Sequence, residues 1–362
     1  MRIAVLANLK ANAPTWDGIA PDQWDDLDSE KSINGVVNAL INGGHDAAFF
    51  EAQITPPYSL IEKLTGFLPD LCFNIAESHF GDGREAQIPA ILEMLRLPYT
   101  GSRVLTQALA LDKPMTKRIF AYHDLPTPEF QVFERADEVI DDDLIYPDGA
   151  LRFPLFVKPS REGTSMGVTV ESIVETESAL REQIAAQIAR YSQPILVERY
   201  VRGREVTVGM VGNFAPTAPR RLDPADIDET LPESIHFFPI LEMDTRLTVE
   251  TEGDVYTSRV KKELTDLYRY VCPAVLGEAE AHHLRWLAAG VFQVLGCADV
   301  SRVDFRLDAE DGDKPTILEI NTLPGLSPGF SDLCLQAEAD GWSYDRLVNA
   351  IVEAAARRWG LP

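Results

Sequence analysis

Between Val300 and Gly325 the chain twice sets charged or polar side chains against apolar ones, and that pattern restricts the fold more than any other stretch. Val303, Phe305 and Leu307 alternate with Arg302, Asp304 and Arg306, and Ile317, Leu318 and Ile320 lead into Asn321. Period-two alternation of this kind predicts two neighbouring half-buried strands. Asp304, Glu319 and Asn321 then converge at one end of a hairpin, a trio of oxygen donors suited to a hard divalent ion such as Mg²⁺. Arg302, two residues from Asp304, falls on the same strand face. Thr322-Leu323-Pro324-Gly325 follows at once, a turn expected to leave backbone N–H groups free beside the carboxylates. Taken alone, the same residues also fit solvated carboxylates and an arginine on a strand edge.

Ser301-Arg302-Val303-Asp304 followed by Leu318-Glu319-Ile320-Asn321-Thr322-Leu323-Pro324-Gly325 resembles the metal and oxyanion signature of the ATP-grasp ligases, and within them the D-alanine:D-alanine ligase group. The resemblance extends over most of the chain. It implies an α/β (α+β) ATP-grasp fold in three parts: residues 1–100 an N-terminal substrate-binding α/β domain, 101–194 a central subdomain with a phosphate-covering loop, and 195–362 a C-terminal subdomain with the metal and oxyanion site. The chemistry it implies is transfer of the γ-phosphoryl group of ATP to a carboxylate, then attack of an amine on the acyl phosphate. Mg²⁺, as two ions or with Mn²⁺ in its place, would sit on Asp304, Glu319 and Asn321. Arg302 and the Gly325 N–H would stabilise the tetrahedral oxyanion, a contact worth roughly 3 to 4 kcal/mol per donor. Enzymes of this group are cytoplasmic, supply peptidoglycan synthesis and are commonly homodimers.

The net charge of −24 over 362 residues argues against a nucleic-acid binder, so phosphate handling requires a local basic pocket within an acidic surface. The length suggests two or three domains. Cys72, Cys272, Cys297 and Cys334 show neither CxxC nor zinc spacing and are expected as reduced, mostly buried thiols. No apolar run reaches membrane-spanning length, and Met1 to Ala7 is too short for a signal segment and predicts a first strand.

Strands at about 2–7, 47–51 and 71–75, with helices at about 29–42 and 88–95, predict an open α/β domain. Residues 12–28, with Pro14, Gly18, Pro21 and several acids, are expected as a surface loop. Ser102 is a candidate N-cap for the helix carrying Val104, Leu105, Ala108 and Leu109. In Leu111-Asp112-Lys113, Lys113 matches a lysine that touches the nucleotide's phosphates in the resembled family, although its position alone also fits a surface lysine. Pro154 to Val168 predicts a strand, a loop with Gly163 and Gly167, and a return strand, a construction able to close over phosphate. There Lys158 matches the phosphate-binding lysine, and Thr164 and Ser165 the hydroxyl pair at the loop tip. Such a flap is expected to be mobile. In Ile195 to Val208 the resemblance assigns Glu198 to the adenine amino group, Arg199, Tyr200 and Val201 to the hinge, and Glu205 to the ribose. Leu284, Leu287, Ala288, Val291, Phe292 and Leu295 form a helical stripe expected behind the metal hairpin.

The departures concern substrate choice. After the first strand the family has a glycine-rich loop with a glutamate for the first substrate's amino group; here Asn8 to Ala13 has no glycine, and the nearest acids are Asp25, Asp26, Asp28 and Glu30. Arg84-Glu85-Ala86 replaces Glu-Asp-Gly, and His79 is either a substrate neighbour or a loop residue. The family's omega-loop Lys-Tyr pair aligns with Arg259 and Val260, and its acceptor-holding serine with Phe330. A ligase with amino acid or related small-molecule substrates is the leading reading. The same mechanism on another amino acid, hydroxy acid or peptide, or a nucleotide-binding regulator, are the alternatives. Arg302 disfavours the regulator, and the absence of GxGxxG disfavours a hydride-transfer enzyme.

Overall fold

The computed structural model describes residues 1–55, 59–141, 152–215, 222–223, 230–244 and 269–362. Strands β1 (Arg2–Ala7), β2 (Asp46–Glu51) and β3 (Leu71–Asn74) form a parallel sheet in the order β2-β1-β3. From Ile3 to Ala7 every side chain of β1 is buried, because both faces of the sheet are covered. Ile3, Val5 and Ala7 meet helix α1 (Glu30–Asn42), whose first turn is capped by Ser29, while Ala4 and Leu6 meet α2 (Leu60–Phe67) and α3 (Gln87–Leu95). Burying side chains of this size contributes about 1.5–3 kcal/mol each.

Helices α4 (Val104–Leu111) and α5 (Lys113–Tyr122) follow. Ser102 does not cap α4; its buried hydroxyl accepts from the Ala298 N–H at 3.1 Å, so it ties the helix start to the C-terminal part of the chain. A four-stranded antiparallel sheet in the order β4-β7-β5-β6 comprises β4 (Phe130–Phe133), β5 (Leu155–Pro159), β6 (Ile173–Val174) and β7 (Ile195–Arg199). Leu180 and Ile184 of α6 (Glu177–Tyr191) pack against it. The strand returning from the glycine-bearing loop begins at Ile173 rather than near Val168, because the loop closes on itself through Met166 N–H to Gly163 O and Val168 N–H to Ser165 O.

The third sheet contains β8 (Gly203–Gly212), β9 (Ile235–Phe237), β10 (Leu241–Asp244), β11 (Arg269–Val271), β12 (Asp299–Asp308) and β13 (Lys314–Asn321). Its order is β11-β10-β8-β12-β13, with β9 also on β8. Only Tyr200 to Arg202 separate β7 from β8, so the sheet change falls at 200–202 and 195–199 belongs with the four-stranded sheet. Gly203 makes the step possible: at φ 138° a Cβ would lie 1.9 Å from the Leu307 carbonyl oxygen. Helix α7 (Glu278–Val294) lays Leu284, Leu287, Ala288, Val291 and Phe292 under Val303, Phe305, Ile317 and Ile320, as the stripe predicts, and Phe120 of α5 joins this core.

After α8 (Asp332–Ala339), helix α9 (Tyr344–Trp359) returns to the first sheet and buries Leu347, Val348, Ile351 and Ala355 beside Ile3, Val5 and Ile33. Arg358 on α9 bonds both oxygens of the fully buried Asp299, at 2.6 and 3.0 Å, and the carbonyls of Tyr99 and Gly101. No helix among the described residues is long and apolar enough to cross a membrane. All four cysteines are free, Cys72 and Cys334 buried and the others half-buried.

Candidate active site

Register places the hairpin residues. Asp304 lies directly opposite Glu319, and Arg302 opposite Asn321, with an irregularity just after Asp304. Two carboxylates facing each other across a ladder repel unless a cation lies between them. Lys113 Nζ is 3.5 Å from Glu319. Asp304 accepts from Arg302 Nε and Nη2 at 2.8 and 2.9 Å, from the Thr207 hydroxyl and from Asn321 Nδ2 at 2.8 Å. By donating its amide nitrogen, Asn321 keeps Oδ1 as an acceptor. With the Asp304 and Glu319 carboxylates, this oxygen makes a donor set that fits a hard divalent cation.

Arg302 is also held by Asp332, from the first turn of α8, at 3.0 Å. Although burial disfavours its charge, Asp304 and Asp332 keep it protonated. Among the described residues Nε and Nη2 each donate to Asp304 and Nη1 is ion-paired with Asp332, leaving donors on both Nη atoms for another acceptor. Among the described residues nothing accepts from the Gly325 N–H, and a Cβ at that position would lie 2.8 Å from Ser331 Oγ.

Between the second and third sheets lies a slot of about 110 Å³ lined by Lys113, Lys158, Glu198, Arg199, Tyr200, Val201 and Glu205. These are the nucleotide residues expected from sequence, apart from Arg259, which with Val260 lies outside the described residues. Glu198 is buried and paired through one oxygen with Lys158 (2.7 Å) and through the other with Lys117 (2.8 Å). Burial alone would raise its pKa, but the two lysines hold it at about 2. Each oxygen retains a lone pair for an adenine amino group. The Arg199 side chain is engaged by Asp308 at 2.7 Å and Glu129 at 3.6 Å, so its backbone is what remains for a base. Tyr200 stacks on Phe156, with ring centroids 6.1 Å apart. Glu205 is held by Arg306 at 2.8 Å, and burial raises its pKa despite that partner.

A larger cavity of about 370 Å³ adjoins the slot and takes in Arg302, Asp304, Glu319, Asn321, Gly325, Thr164, Ser165 and Phe330. Lys113, Glu162, Ser165, Glu205, Asp304 and Glu319 border both spaces. Thr164 and Ser165 adopt φ of 50° and 57°, a left-handed conformation that costs non-glycine residues about 1–2 kcal/mol each. Their loop is held more firmly than its composition suggests. Arg84 donates to the Arg161 carbonyl (2.8 Å), to Glu162 (3.2 Å) and to Asp26 (2.9 Å). Asp22 accepts from the Gly167 N–H and the Tyr191 hydroxyl. Residues 12–28 are thus a cover on the flap rather than a free surface loop, with Trp24 and Leu27 buried. His79 lies edge-on to Trp24 at 5.3 Å and borders neither space.

Sequence reasoning missed several members of this network. Lys117 is one helical turn from Lys113 on the buried face of α5, and burial brings its pKa down to about 8. That i, i+4 spacing was the available signal. Arg306 continues the Arg302–Asp304 alternation. Arg84, Glu162 and Asp332 gave no local sign.

A family model described as the D-ala D-ala ligase C-terminus matches residues 119–223 and 240–353. A D-alanine–D-alanine ligase of Bordetella petrii is 34% identical over 326 residues, covering 90% of this chain and 86% of that protein. One of Albidiferax ferrireducens is 33% identical over 324 residues, covering 90% and 82%. The chain belongs to the D-alanine–D-alanine ligase family. It is accordingly an ATP-dependent ligase. The solved D-alanine–D-alanine ligase of Bacillus anthracis complexed with ATP, 20% identical, superposes with a TM-score of 0.70 over 99% of this chain and 98% of its own, so the ligase has the ATP-grasp fold.

Proposed function

We propose that the ligase phosphorylates a small carboxylic acid, of which D-alanine is the reference member named by its relatives, and joins it to an amine through the acyl phosphate. The reading rests on one observation: Lys113, Ser165, Asp304 and Glu319 border both the nucleotide slot and the substrate cavity, so the phosphoryl group and the carboxylate meet at a wall common to both. Lys158, held by Glu198, and Lys113 supply positive charge to the phosphates. Tyr200 and Val201 flank the base, and Glu205 faces the ribose. Asp304, Glu319 and Asn321 Oδ1 would hold Mg²⁺, as one or two ions, and the metal when bound neutralises and orients the transferring group. The Arg302 donors not bonded to Asp304 and the Gly325 N–H stand ready for the oxyanion. Thr164 and Ser165, on the flap pinned by Arg84, close the space against water.

The test is ADP and amide formation from ATP, Mg²⁺ and pairs of amino acids, with products identified by mass spectrometry. Equimolar ADP and amide is the expected result. ATP binding without ADP release for any acid overturns the proposal.

A further inference from the structure

The cavity wall contributed by the N-terminal part holds more negative charge than one amino group requires. Asp26 and Asp28 come from the cover before α1, and Glu77 and Glu85 from the segment after β3; Asp26, Asp28, Glu77 and Glu85 border the same 370 Å³ space as Arg302 and Gly325. Arg84, the cation packed against this wall, is already divided among Asp26 Oδ2, Glu162 and the Arg161 carbonyl. Asp26 Oδ1 is buried without a hydrogen-bond partner among the described residues, on a side chain only 5% exposed. Asp28, Glu77 and Glu85 have no basic nitrogen within 4.0 Å among the described residues.

Burial pushes Asp28 up to about 7 and raises Glu77 and Glu85, with repulsion from Glu85 adding to the rise at Glu77. Four carboxyls of this wall thus face the space against one guanidinium, that of Arg84, which is already shared. These carboxyls line the same space as the oxyanion donors, where the nitrogens of an organic substrate can reach them and supply the counter-charge. A ligand with a single ammonium group would seal one uncompensated carboxylate under the flap, which is costly.

We propose that the carboxylate donor is an amino acid with a basic side chain, whose two cationic nitrogens sit on the Asp26–Asp28 and Glu77–Glu85 groups while its carboxylate faces the nucleotide slot. This rests on the ligase reading above, and its test separates the two. Phosphate release from ATP and Mg²⁺ is measured with D- and L-ornithine, lysine and arginine against the uncharged norvaline and norleucine, and binding of the same acids to the ADP- and Mg²⁺-loaded protein is measured by calorimetry. At least one basic acid is expected to exceed its uncharged counterpart at least tenfold in kcat/KM, equivalent to about 1.4 kcal/mol. Glu85→Gln and Asp28→Asn should each shrink that ratio, the second variant guarding against misfolding of the first. Turnover of uncharged acids at equal or higher kcat/KM overturns the inference and leaves the ligase reading intact. Selective binding of a basic acid with no phosphate release for any acid supports the inference and removes the ligase reading. If basic acids neither turn over nor bind selectively, the inference is wrong.

Discussion

Replacing Glu198 with Gln removes the anion that two buried lysines share. At an effective dielectric of about 20, Coulomb's law gives about 6 kcal/mol of gross attraction for each of the contacts at 2.7 and 2.8 Å. Desolvation of three buried ions offsets most of this, and breaking such a pair typically costs about 3–5 kcal/mol because a charge is left alone. Proton linkage gives a second value. A carboxylate lowered from 4.5 to about 2 contributes about 3 kcal/mol, at about 1.36 kcal/mol for each pH unit. The sign follows from the direction: the folded pKa lies below the unfolded one, so this stability is complete above pH 4.5 and drains away as pH falls toward 2. Urea unfolding followed by circular dichroism should therefore place Glu198→Gln about 3 kcal/mol below wild type at pH 7. The gap should narrow steadily below pH 4.5. Adding Lys117→Met should recover part of the loss, since it removes one of the two stranded ammonium groups. A variant within 1 kcal/mol of wild type at pH 7, at the level of an ordinary surface change, would refute the shared-anion argument.

Glu319→Gln is expected to abolish turnover while metal-free ADP binding by calorimetry stays at the wild-type value; equal loss of that binding would remove Glu319 from the metal role. Gly325→Ala should lower kcat about tenfold with a stability loss near 1 kcal/mol, because the new methyl group displaces the Ser331 hydroxyl from its bond to the Ser327 N–H. An unchanged kcat would detach Gly325 from the chemistry. Asp28→Asn should stabilise the protein at pH 8 and leave it unaltered at pH 3, since wild type must ionise a buried carboxyl raised to about 7 from 3.8 and loses stability as pH rises through that window. Thermal melts at the two pH values decide it. Arg84→Met should speed hydrogen exchange in residues 160–167, because it cuts the flap from its cover; unchanged protection there would mean that other contacts hold the flap.

The hairpin residues were legible because they lie on two short strands, where period-two alternation fixes which side chains share a face, whereas the nucleotide residues were named only through the family resemblance. Arg302, Asp304, Glu319 and Asn321 needed only a register, and the antiparallel ladder supplies it. What the sequence concealed depends on distant partners. Residues 12–28 look polar enough for solvent, yet Asp22 and Asp26 face cations and N–H donors from residues 84, 167 and 190. Ser102 has the right chemistry to cap α4 but bonds Ala298, nearly two hundred residues on. The charged run Arg202-Gly203-Arg204-Glu205 marks a turn between two strands, but nothing local shows that those strands join different sheets.

The return of α9 to the first sheet orders events during synthesis. A ribosome delivers β1, β2, β3 and α1 early, but Leu347, Val348, Ile351 and Ala355, which pack beside Ile3, Val5 and Ile33, are translated much later. Until then α1 alone covers that face of the sheet, and the apolar surface that α9 would bury stays open to aggregation. A frameshift or stop codon before residue 344 therefore leaves the N-terminal sheet with part of its apolar face uncovered, so truncation far from the first domain is felt in that domain's own core.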